Sequence, residues 1–178
     1  MAQFFLLGFW HFLQAPAHIV VLFGLGVLIG QQGRYGLRVG LLSFVMTVIG
    51  GLMMTQMVII GWKHDIVLLI LALIIGALLA LRLNLPSWSL ILIAAVAGIL
   101  IGIDSAPSLI PGMKSTLTYA ALAGTALGTS LTVLLLALPS LLLRLPMNGI
   151  ILRVLGSWVT ASALMVLVLM FAPHQVMQ

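Results

Sequence analysis

The sequence predicts an all-α fold, a polytopic transmembrane helical bundle of about six spanning helices with short loops. Three observations carry that reading. Of 178 residues, 63% are apolar; charge is confined to seven Lys or Arg and two Asp; and the mean hydropathy is +1.36. A soluble domain of this size carries charge on roughly a quarter of its residues, so most of this surface is expected to face lipid. Residues 1–178 read as a single integral membrane domain. The absence of cysteine excludes disulfides, thiolate zinc sites, iron–sulfur clusters and cysteine nucleophiles. The basic balance is read as orientation in a membrane, with no nucleic-acid partner implied.

The spans are runs of about 20 apolar residues separated by Gly, Pro, Asn and charge. The first includes Ile19 to Ile29, and the second runs from about Val39 to Ile60. Ile66 to Leu81, Trp88 to Ile103, Leu117 to Leu143 and Ile150 to Phe171 follow. Pro16 is expected to start a helix, leaving the His11 segment free to fold back; Pro139 interrupts a backbone hydrogen bond within the fifth span. Helices are preferred to a barrel because the runs are continuously apolar, without in/out alternation.

Orientation follows from the cations. Arg34, Arg38, Arg82, Arg144 and Arg153 fall on one side of this topology, and Lys63 with Lys114 on the other. The arginine side is therefore expected in the cytoplasm and both termini outside, which in a bacterial inner membrane is the periplasm. Met1 to Leu7 is uncharged and lacks the positive region of a signal peptide, so it is read as retained. Small residues recur at four-residue spacing in Ala94, Gly98 and Gly102 and in Ala120, Gly124 and Gly128, a pattern that serves tight packing within one bundle, a dimer interface or a pore lining.

No phosphate loop, HExxH or GxSxG pattern is present, and two carboxylates are too few for most acid–base constellations, so no enzyme is expected. What remains is a distribution: His11, His18, His64, His174, Asp65 and Asp104 all fall at the outer side, opposite the arginines. Imidazole and carboxylate together suit nickel, cobalt or zinc, making this set a candidate mouth for a divalent cation. His11 and His18 need a bend to cooperate, because seven helical residues separate them by about 10 Å along the axis. Asp65 has an ordinary reading as a helix cap. Asp104, an anion at a helix carboxyl end, calls for a cationic partner. As a rival chemistry, Met53, Met54 and Met57, with Met113, Met170 and Met177 on the same outer side, offer a thioether path for copper(I), while Met46, Met53 and Met57 share a helical stripe that reads as core filling.

The segment from Gly8 to His18, with Gly26 beyond it, resembles the opening helix of the HupE/UreJ family of hydrogenase and urease accessory membrane proteins. That family opens with approximately G-F-x-H-P-x-x-G-x-D-H and a later Gly; Gly8, Phe9, His11, His18 and Gly26 fall in register. Phe12, Ala15 and Ala17 stand where the family has Pro, Gly and Asp, and its later His-rich element is absent. The resemblance implies a permease for nickel or cobalt with His11 and His18 of the first motif at the ion's entry; together with the outer-side distribution, the candidate metal ligands are His11, His18, His64, Asp65 and Asp104. Asp104 or Asp65 then has to replace the carboxylate missing at Ala17. No tightly bound cofactor is expected, only the transported ion; the partners are the bilayer, the ion, and either further copies of the chain or a larger complex. The competing expectation is a non-catalytic structural or accessory subunit of a larger membrane assembly.

Overall fold

The computed structural model describes residues 2–11, 15–55, 64–105, 115–143 and 149–171, together with side chains except those of residues 2, 11, 64 and 115. These segments are helical apart from short connections such as residues 83–86, with no strand among the described residues. The helices are α1 (Ala2–His11), α2 (Pro16–Gln31), α3 (Gly33–Met54), α4 (His64–Leu81), α5 (Ser87–Asp104), α6 (Ser115–Leu143) and α7 (Ile150–Phe171). Four of them, α3, α5, α6 and α7, are long and apolar enough to cross a membrane. The chain therefore has the character of an integral membrane protein.

One boundary falls where Pro16 leads one to expect it, and one differs from the sequence expectation. The first apolar stretch is two helices, because Pro16 lacks an N–H to continue an upstream helix and fits the first turn of a new one. The resulting α1 has ten residues, about 15 Å of rise, half the hydrocarbon thickness. Secondly, α3 begins at Gly33, so Arg34 and Arg38 lie in its first turns instead of in a loop. Only Gln32 separates α2 from α3, and Gly33 makes the reversal at φ 86°, a region disfavoured for a residue with a Cβ. Gln32 also ties this corner to the next one: its Nε2 donates to the Leu83 carbonyl (3.0 Å) and its Oε1 accepts from the Leu85 N–H (3.1 Å).

The apolar pattern around α2 has no polar face, as expected of a helix enclosed by others, and residues from Val21 to Ile29 are almost all buried. Its neighbours meet it and each other through glycine. A Cβ at Gly26 would fall 2.7 Å from the Leu136 Cβ, and one at Gly30 2.6 Å from the Ser140 Cβ, so α2 and α6 run parallel in close contact. Gly24 faces Ile75 of α4 and Val159 of α7. Around this centre α3 pairs with α5, α4 with α7, and α1 with α6. The α3–α5 seam is Gly51, Gly98 and Gly102; a Cβ at Gly102 would meet the Val48 carbonyl oxygen at 2.7 Å and the Gly51 Cα at 3.0 Å. Gly76 and Gly156 serve α4 and α7 in the same way. Gly124 and Gly128 receive the backbone of Phe5 and Phe9 in α1, where the Thr125 hydroxyl also donates to the Gly8 carbonyl at 3.2 Å. Both small-residue stripes thus pack helices of this one chain.

These registers put Asp65 and Asp104 at the end of the bundle where α2 begins, and Arg34, Arg38, Arg82 and Arg153 at the end where it finishes. At that second end Arg82 closes α4 in the left-handed region (φ 52°), with Arg82 N–H donating to Leu79 O and Leu83 N–H to Leu78 O, the pairing of a Schellman motif. Pro139 sits inside α6 without ending it.

Gly102→Leu is expected to lower stability by about 2–4 kcal/mol by forcing the α3–α5 backbones apart. Gly50, with nothing within 4 Å of its added Cβ, is the matched control: Gly50→Ala should be neutral or gain about 0.5–1 kcal/mol. Thermal unfolding in detergent compares the two.

Candidate cation site at the head of the central helix

His18 lies in the first turn of α2 and is 1% exposed, so a side chain expected at a membrane edge is an interior group. One turn of helix and the enclosing neighbours explain why. Because α2 begins at Pro16, His18 already faces the bundle, on the side of α3 and α5 rather than lipid. Asp104, the last residue of α5, meets it: His18 Nε2 and Asp104 Oδ2 are 2.8 Å apart. The contact is a close approach of the two side chains, and neither ring nitrogen has a hydrogen-bond partner among the described residues. Ser105, the next residue, is fully buried with its hydroxyl likewise unpaired among them.

The pair answers a problem of the primary structure. A carboxylate at the carboxyl end of α5 opposes the helix dipole, and a cationic or cation-accepting partner offsets this. In an apolar interior such a charge is otherwise costly by several kcal/mol. An imidazole nitrogen and a carboxylate oxygen at this separation can share a proton, and they can also hold one small cation between them, since zinc-like ions bind each donor at about 2.0–2.2 Å. The imidazole Nδ1 is a further buried polar atom of the pair, and the buried Ser105 hydroxyl follows Asp104 in the chain.

The other sequence candidates stand as follows. Asp65 is in the first turn of α4 and half-buried, one residue inside the helix instead of at its cap. The α2–α4 register, Gly24 beside Ile75, leaves it about one turn nearer the helix start than the level of His18. His11 closes α1 and His64 opens α4, but their side chains, with His174, Lys63 and Lys114, lie outside the described residues. Among the described residues no three His, Asp or Glu come together as a metal-binding group. Met46 and Met53 are 69% and 67% exposed, so their stripe faces outward and fills no core; Met57 lies outside the described residues. Ser105 and Gln31, both buried and polar, were not singled out by sequence; adjacency to Asp104 was the available signal for the first, and position as the last residue of an otherwise apolar helix for the second.

No family model, curated protein or solved structure matches the chain.

Asp104→Ala strips the buried imidazole of its carboxylate and is expected to cost about 1–3 kcal/mol. Asp65→Ala, which forgoes only a dipole contact in a first turn, should cost about 0.3–1 kcal/mol. Equilibrium unfolding of the two variants gives the comparison.

Proposed function

We propose that the chain is a permease of the HupE/UreJ type that passes a divalent transition metal, nickel or cobalt, across a bacterial inner membrane. The observation that carries this reading is the Asp104 carboxylate 2.8 Å from His18. The opening motif has Ala17 where the family it resembles carries Asp, and a carboxylate from α5 supplies the missing negative charge beside the second histidine. His18 and Asp104 take the ion first, with His11, His64 and Asp65 as candidates for further ligands at the same end. In this reading α2 to α7 cross the membrane in alternation. The shorter α2 and α4 are accommodated because they lie largely among the other helices. The arginine end is cytoplasmic and both termini are outside, in accordance with the cation distribution. With no carboxylate at mid-membrane, movement down a gradient fits better than a proton-coupled relay.

The reading is tested by nickel and cobalt uptake in cells lacking their own transporters, at matched membrane abundance. Uptake by the wild type that falls about tenfold or more in His18→Ala and in Asp104→Ala is the expected result. Wild-type protein that moves neither metal overturns it.

A second reading, an accessory subunit of a larger membrane complex, draws support from an apolar groove of about 580 Å³ between α3 and α6, lined by Ile49, Leu52, Met53, Tyr119, Leu122 and neighbouring residues. A stoichiometric partner surviving mild detergent would favour it over the permease.

A further inference from the structure

At the opposite end of α2 the electrostatics are one-sided. Arg34, Arg38, Arg82 and Arg153 all lie there, and both carboxylates of the chain are at the other end. Within this basic end the start of α7 adds a helix dipole to the guanidiniums. Its first N–H groups lack intrahelical partners and carry the positive end of a 22-residue helix dipole. Its first turn holds no acidic residue but ends in Arg153, a cation where the dipole disfavours one. The guanidinium of Arg82 packs over Gly149, immediately before the helix, with Nε 3.1 Å and Cζ 3.2 Å from the position of an added Cβ.

Gln31 supplies the independent observation. Its side chain is 6% exposed, and neither its amide oxygen nor its amide nitrogen has a partner among the described residues. Seven residues after Gly24, which touches Ile75 of α4 and Val159 of α7, Gln31 shares that face of α2 to within about 20°. Parallel α2 and α4 bring residue 31 level with about residue 82, and antiparallel α7 brings its start to the same level; the Gln32 bonds to Leu83 and Leu85 fix that height. The buried amide is thus aimed between the end of α4 and the start of α7.

We propose that this corner, formed by the α7 N-terminus, Arg82, Arg153 and the Gln31 amide, binds a phosphate group. A phosphate offers several acceptor oxygens and a negative charge, matching helix N–H groups, two guanidiniums and an amide N–H donor. An anionic phospholipid and free phosphate present the same chemistry; the position at the end of a membrane bundle makes the lipid headgroup the natural source. The inference is independent of the metal reading.

The test is binding of phosphatidylglycerol, diacylglycerol of the same chains, and inorganic phosphate to the detergent-purified protein, followed by native mass spectrometry and thermal shift. Phosphatidylglycerol is expected to bind at least about tenfold more tightly than diacylglycerol, and Gln31→Met and Arg153→Gln each to weaken it about tenfold. Arg82→Asn, which tolerates the left-handed backbone, should do the same. Arg34→Gln, on α3 away from α7, should leave binding unchanged and controls for general surface charge. Inorganic phosphate that displaces the lipid supports the site with free phosphate as its ligand; failure to displace supports the lipid. Equal binding of the two lipids, or an Arg34→Gln loss as large as that of Arg153→Gln, overturns the proposal.

Discussion

Backbone-to-backbone contact at glycine is the constraint on which this bundle depends. In a bilayer the hydrophobic effect gives no preference for helix against helix over helix against lipid, so association rests on close van der Waals packing and a few interhelical hydrogen bonds. Gly51 with Gly98 and Gly102, Gly76 with Gly156, and Gly124 with Gly128 let three pairs of helices touch at their backbones, while Gly24, Gly26 and Gly30 seat α2 among them. That seating also positions the candidate site. It takes His18, two residues into α2, out of contact with solvent and lipid and sets it against the end of α5.

Polar groups in such an interior are few, and their placement is correspondingly informative. Hydroxyls are mostly returned to the chain's own carbonyls: Thr129 donates to Thr125 O, Thr132 to Gly128 O and Ser140 to Leu136 O. The two polar side chains of α2, His18 and Gln31, are not. They sit at its opposite ends, His18 against the Asp104 carboxylate and Gln31 at the end of the bundle that holds Arg34, Arg38, Arg82 and Arg153.

Hydropathy and helix chemistry made much of the fold legible. The run Ile150 to Phe171 matches α7, and Trp88 to Ile103 lies within one residue of α5 at each end, because charge and Pro bound these runs sharply. Pro16 announced a helix start through its missing N–H. The early start of α3 was hidden because Arg34 and Arg38 read as loop charge, whereas long cationic side chains extend readily from a first turn toward the membrane edge. What the sequence lacked was pairing information. Periodicity shows which residues avoid water, but in a bilayer both buried and lipid-facing positions do so. The Met46 and Met53 stripe consequently looked like core and faces outward, and His18 looked like an edge residue and is interior. Asp104 was legible as a carboxylate needing a partner; that the partner is on α2 required the packing.

The central claim is that His18 and Asp104 act as one unit at the head of α2, and a double-mutant cycle measures that directly. His18→Leu, Asp104→Leu and the double variant would be compared with wild type by thermal unfolding and by nickel binding. A coupling of about 1 kcal/mol or more in stability, with the double variant binding nickel no more weakly than either single one, is the result the account requires. Additive effects, with no coupling in either measurement, would contradict it.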